Sequence, residues 1–171
     1  GDYSGTGYSP LDEISTFNVA NLTRQWTYSI EALTSGRDGQ NNRVLRSQAT
    51  PIVVRNVMYL PAADRVVALN PKTGEELWQH LVTDGAPSRR GVAYWPGVDG
   101  LPPRVIFTAG QRLIALDAET GESLPEFGNQ GEVDMLVPYN SVPLVFGDIV
   151  VVGANTPRGT SGGIGNARAY H

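Results

Sequence analysis

The sequence has no cysteine, so disulfides and thiolate metal sites are excluded, although the compartment is not fixed by that absence. Lysine is nearly absent as well: of 13 basic residues, 12 are arginine. They are scattered rather than run together, and the net charge of −4 with a pI near 5.1 argues against a nucleic-acid surface. No apolar stretch approaches the roughly 20 residues of a membrane-spanning helix. No long helical periodicity stands out, and His80 has no second histidine at metal-ligand spacing. What remains is turn-rich: 20 Gly and 12 Pro in 171 residues that are 40% hydrophobic, an ordinary globular composition with length for one core.

The chain is organised around a repeat. Residues 49–82, ATPIVVRNVMYLPAADRVVALNPKTGEELWQHLV, contain four short β-type runs. Val, Ile, Tyr and Trp fill the runs, and Asn, Asp, Pro and Gly fill the breaks. Val66-Val-Ala-Leu-Asn-Pro-Lys-Thr-Gly-Glu-Glu-Leu-Trp78 is answered by Leu113-Ile-Ala-Leu-Asp-Ala-Glu-Thr-Gly-Glu-Ser-Leu-Pro125. Ala68 and Ala115 stand 47 residues apart, and Ala169 follows 54 residues later, where the chain stops inside the pattern. Four-stranded meanders recurring at this period predict an all-β fold, a β-propeller of about three four-stranded blades.

The expected layout is a single partial propeller domain over 1–171, with a lead-in and closing strand at 1–30 and blades at about 48–82, 90–127 and 140–171. Asn18 is a candidate cap for one helical turn. Residues 24–30 read as a strand whose Trp26 precedes Trp78 by 52 residues, about one repeat. Residues 31–46 and 128–139 read as loops, and the Gly-rich run 159–165 as an inter-strand loop without the lysine of a phosphate-binding turn. Gly74 and Gly121 supply the positive φ of a tight turn. Trp78 reads as an inter-blade staple, and His80 beside it as structural. The sequon Asn21-Leu-Thr23 reads as chance. The chain is read as a piece of a longer protein, against the alternative of a natural three-blade one.

Each blade is approached through a large polar residue: Gln48 before Ala-Thr-Pro51, Arg90 before Gly-Val-Ala93, and Asn140 before Ser-Val-Pro143. First strands of a propeller line its channel, so these three are expected to converge at one mouth and hold a polar ligand on the axis. The bland alternative is that they cap strand ends. Arg89 adjoins Arg90, and alternation along an extended chain would send the two to opposite faces.

These motifs resemble the pyrroloquinoline quinone (PQQ)-dependent alcohol and glucose dehydrogenases. The likeness rests on the opening Gly1-Asp-Tyr-Ser-Gly-Thr-Gly-Tyr-Ser-Pro-Leu11, on Asn18-Val-Ala-Asn-Leu22 with Trp26, on Arg90-Gly-Val-Ala-Tyr-Trp95, and on the Ala-x-Asp-x-x-Thr-Gly-x-x-x-Trp docking repeat. It implies an eight-bladed propeller, PQQ with Ca²⁺ as cofactors, and oxidation of an alcohol or sugar hydroxyl to a carbonyl or lactone. It implies a periplasmic setting and cytochrome c or ubiquinone as electron acceptor. The cofactor-binding residues it implies are Gln48, Arg90, Asn140, Ser141, Gly153 and Ala154, with Asn155 as a Ca²⁺ ligand.

The departures are specific. Gln48 stands where the family has Glu, and Asp84-Gly85 where many members carry adjacent cysteines. Asn155 stands where the alcohol-oxidising members have a calcium-binding Glu. They lean toward the sugar-oxidising branch. The family's catalytic base and remaining metal ligands are expected outside this chain, which alone is expected to be inactive. The alternative is a non-catalytic propeller scaffold of the outer-membrane assembly type.

Overall fold

The computed structural model describes residues 12–32, 47–98, 100–153 and 167–171. It contains eleven strands among those residues and one short 3₁₀ turn, Val19–Asn21. The strands form three antiparallel meanders. β1 (Ile52–Val54), β2 (Val57–Pro61), β3 (Arg65–Leu69) and β4 (Glu76–Leu81) make the first sheet, and β5 (Ala93–Trp95), β6 (Arg104–Ala109), β7 (Arg112–Asp117) and β8 (Glu132–Asp134) the second. β9 (Leu144–Phe146), β10 (Ile149–Gly153) and β11 (Ala167–Tyr170) make a three-stranded third sheet. This is the all-β propeller architecture, with three successive blades.

Local turn chemistry sets the meander. Arg55 and Asn56 both take positive φ (48° and 69°), as a two-residue hairpin requires, and Val54 pairs with Val57 across it. The turns after β3 and β7 are built alike. Asn70 Oδ1 accepts the Lys72 N–H at 2.9 Å, and Asp117 Oδ1 accepts those of Glu119 and Thr120 at 2.8 and 2.9 Å. An amide oxygen serves as well as a carboxylate there, which explains the Asn-for-Asp exchange. Thr73 and Thr120 hydroxyls each accept an N–H two residues on. Gly74 and Gly121 then turn at φ +74° and +75°.

Those two glycines also serve packing. A Cβ on Gly121 would lie 2.5 Å from the Trp78 ring, and one on Gly74 would lie 2.6 Å from the Trp26 ring. Each indole donates to a backbone carbonyl of the same turn, Trp78 to Ala118 and Trp26 to Pro71, both at 3.0 Å. Trp78 is therefore the staple from blade 1 to blade 2, and Trp26 makes the same contact one blade earlier. His80 lies beside the staple, its Nδ1–H donating to the Gly121 carbonyl at 3.0 Å.

The core consists of two slabs between blades. Tyr59, Val66, Ala68, Phe107, Ile114 and Leu116 fill the first, and Ile106, Leu113, Ala115, Met135, Val150 and Val152 the second. Alternate residues of β6 and β7 face opposite slabs, as strand periodicity requires. Blade 2 is therefore buried on both faces.

Residues 24–30, read as the closing strand of a blade completed elsewhere in a longer protein, pair with no strand among the described residues. They lie along blade 1, with Trp26, Tyr28 and Ile30 the half-buried residues. Buried Arg65 grips this segment through the Glu31 and Ser29 carbonyls at 2.7 and 3.1 Å. Two other expectations need correction. The outer strand of blade 2 is β8, inside the stretch read as a loop, so the blade runs past 127. After the Leu116–Ser123 bridge the chain loops out at Pro125, which has no N–H for the ladder, and pairing resumes from Ile114 to Glu132. Finally, the Asn18 side chain does not cap the 3₁₀ turn; its amide accepts from Ser15 N–H and donates to the Glu13 carbonyl. Residues 1–11, 33–46 and 154–166, on which the readings of a lead-in, a long loop and the Gly-rich run fall, lie outside the described residues.

Candidate functional site

Gln48, Arg90 and Asn140 all sit on the approaches to the inner strands β1, β5 and β9, rather than on the strands. The structure laces these approaches together. Gln48 N–H donates to the Arg89 carbonyl at 3.1 Å, tying blade 1 to blade 2. The Ser88 hydroxyl donates to Asn140 Oδ1 at 3.0 Å, tying blade 2 to blade 3. Gly91 sits between them at φ +139°, where a Cβ would stand 3.1 Å from Val142 Cγ2 and 3.5 Å from the Thr50 carbonyl. Only glycine lets the three approaches come this close.

Arg89 and Arg90 occupy a turn, not extended chain. Strand alternation therefore does not separate them. Their surroundings still differ: Arg89 lines a cleft of about 320 Å³ with Ser88, Thr108, Tyr139 and Asn140, and Arg90 is not among its walls. Both side chains are exposed, and neither has an ion-pair partner among the described residues.

Ser88 is the feature the sequence reading missed. It is 5% exposed, and its Oγ accepts the Arg90 N–H at 3.3 Å while donating to Asn140. A serine bonding the N–H two residues on is a local pattern that could have been read from Ser88-Arg-Arg90. Its bond to a residue 52 positions away could not. Thr108, fully buried, likewise donates to the Ser141 carbonyl at 3.2 Å, and Ser141 Oγ donates to the Gly153 carbonyl at 3.4 Å. Ser141 and Gly153 are thus neighbours. Ala154 and Asn155 lie outside the described residues, and among the described ones no group of three His, Asp or Glu comes together to hold a metal.

His80 is a titratable group beside an inter-blade contact whose affinity for protons is shifted. Burial pushes its pKa below the usual imidazole range, opposed by the bond to Gly121. It stays neutral and donates from Nδ1, a packing role.

Comparison with known proteins gives one consistent result. The family described as "PQQ: Glucose/ethanol/alcohol dehydrogenase, beta-propeller domain" matches residues 1–171. The quinohemoprotein alcohol dehydrogenase of Comamonas testosteroni is 34% identical over 182 residues, covering 99% of this chain and 23% of that protein. Its crystal structure superposes with a TM-score of 0.66 at 30% identity, over 89% of this chain and 22% of that one. Methanol dehydrogenase [cytochrome c] subunit 1 of Paracoccus denitrificans is 30% identical over 90% of this chain and 25% of its own. Quinoprotein glucose dehydrogenase A of Acinetobacter calcoaceticus is 30% identical over 80% and 20%. The chain spans about a quarter or less of each relative's length. With three successive blades, two Trp-on-Gly docking contacts and a match along its full length, this chain belongs to the β-propeller family of PQQ-dependent glucose, ethanol and alcohol dehydrogenases.

Proposed function

We propose that the chain supplies the Arg90 side of a PQQ site in a dehydrogenase that oxidises an alcohol or sugar hydroxyl, or a sugar hemiacetal, to a carbonyl or lactone. The observation that carries this is the lacing of three blade approaches at one place: Gln48 N–H donates to the Arg89 carbonyl, Ser88 Oγ accepts the Arg90 N–H and donates to Asn140, and the exposed Arg90 side chain has no ion-pair partner among the described residues. PQQ is a flat tricarboxylate o-quinone. A guanidinium fork and two primary amides are donors that suit carboxylate and quinone oxygens, so the donor set fits. When bound, PQQ supplies the two-electron acceptor for hydride leaving the hydroxyl-bearing carbon.

The chain's own part is binding and orientation. Arg90 holds an anionic oxygen with a charge-assisted bond, and Gln48 and Asn140 add neutral donors that fix the plane of the ring. Ser141 and Gly153 form the adjoining wall on blade 3. The Ca²⁺ that the resemblance implies has only Asn155 as a candidate here, so no step is derived through it. Relatives acting on alcohols and on glucose match at similar identity, so the proposal keeps both substrate classes. Cytochrome c or ubiquinone as acceptor and a periplasmic setting belong to the same proposal, supported by relatives named for cytochrome c and for quinone. Among the described residues, no helix is long and apolar enough to cross a membrane.

The test is Arg90→Ala in the full-length apoprotein, titrated with PQQ. Loss of a charge-assisted partner should weaken binding about thirtyfold, roughly 2 kcal/mol. Unchanged affinity would remove Arg90 from the site.

A further inference from the structure

We infer that Ser88 is a positioning residue that fixes which end of the Asn140 amide faces the ligand, an inference that rests on the PQQ-site reading. Ser88 Oγ accepts the Arg90 N–H with one of its two lone pairs, which holds the hydroxyl on its own turn. Its single proton goes to Asn140 Oδ1. Ser88 is buried, so water does not compete for that proton. The backbone holds it still: Ser88 N–H donates to the Thr108 carbonyl at 2.7 Å, on β6.

With Oδ1 committed to Ser88, the Asn140 amide presents its Nδ2 hydrogens on the other side. Those hydrogens have no partner among the described residues, and Asn140 lines the cleft. The cleft thus faces a ligand with the Asn140 donor beside Arg89, while the same Ser88 hydroxyl holds the backbone of the Arg90 turn. That polarity selects anionic or carbonyl oxygen and disfavours a donor. One hydroxyl therefore couples the position of the Arg90 turn to the polarity of the Asn140 amide, across two blades.

The experiment uses the full-length apoprotein and equilibrium titration with PQQ, read by quenching of tryptophan fluorescence, with denaturation midpoints measured alongside. Ser88→Ala should weaken PQQ binding about tenfold, as for one lost positioned donor. Ser88→Thr, which keeps the hydroxyl, should stay within about twofold of the original affinity. Ser88→Ala added to Asn140→Ala should cost less than the sum of the two single losses, because both remove the same donor. Asn140→Asp keeps an acceptor for Ser88 but removes the amide donor, and should weaken binding at least as much as Ser88→Ala. This variant decides the matter if Ser88→Ala fails to fold. Full affinity in Ser88→Ala or in Asn140→Asp, or additive losses in the double variant, would overturn the inference. Arg90→Ala, run in parallel, separates the two claims. If it weakens binding while Ser88→Ala does not, only the Ser88 role falls; if Arg90→Ala also leaves affinity intact, the PQQ-site reading falls with it.

Discussion

Replacing Gly121 by Ala tests the docking of blade on blade more sharply than removing the tryptophan. Two costs are expected. At φ +75° an alanine is held in the left-handed region, which costs about 1–2 kcal/mol. The new Cβ would also stand 2.5 Å from Cε3 of Trp78, so the indole must leave its seat. Leaving breaks the bond to the Ala118 carbonyl and the contact with Tyr59, whose ring centroid is 5.9 Å away. Those losses add about 1 kcal/mol for the hydrogen bond and about 0.5–1.5 kcal/mol for the aromatic pair, before any lost burial. The total is about 2.5–4.5 kcal/mol. Gly110 is the control: it has φ +59° and nothing within 4 Å of a built Cβ, so Gly110→Ala carries the strain alone, about 1–2 kcal/mol. Urea denaturation at constant m-value measures both. In a Trp78→Ala background the excess cost of Gly121→Ala should vanish, because the clash has gone. Equal losses at Gly121 and Gly110, or an excess that survives without Trp78, would refute the docking argument.

Two further predictions concern elements beside that staple. The pKa of His80 is depressed in the folded protein by burial, so the unfolded chain takes up its proton first, near pH 6.5. The stability His80 contributes is therefore complete above about pH 6.5 and is lost as the pH falls below it. Urea midpoints between pH 7 and 5 should decline, and His80→Gln should flatten the decline; an unchanged slope would assign it to other groups. Arg65→Met should release residues 28–31 from blade 1 by removing the bonds to the Ser29 and Glu31 carbonyls, at a cost of about 2–3 kcal/mol. Hydrogen exchange should quicken at Ala63, whose N–H is bonded to the Ile30 carbonyl, and stay slow in β6 and β7. Unchanged exchange at Ala63 would show that Trp26 alone holds the segment.

The sequence by itself determined the repeating unit. The turns that define a blade close over a few residues, and their requirements are chemical and local: positive φ at Gly74 and Gly121, a side-chain oxygen at Asn70 and Asp117, a hydroxyl at Thr73 and Thr120. Alternation of apolar residues then fixed which faces are buried, and with them the two slabs on either side of blade 2. Gln48, Arg90 and Asn140 stand out in the sequence because equivalent strands in a repeat are approached at equivalent places, and all three lie on the approaches to β1, β5 and β9. Tertiary structure alone decided the rest. Whether residues 24–30 form a strand depends on a partner that no local pattern names. The outer strand of blade 2 moved to β8 because Pro125 interrupts the ladder, while Ile114 found a partner at Glu132 after the intervening loop. Ser88 meets Asn140, 52 residues away, only in the folded chain, since a hydroxyl's partner across a blade boundary is set by packing and not by its neighbours in the chain.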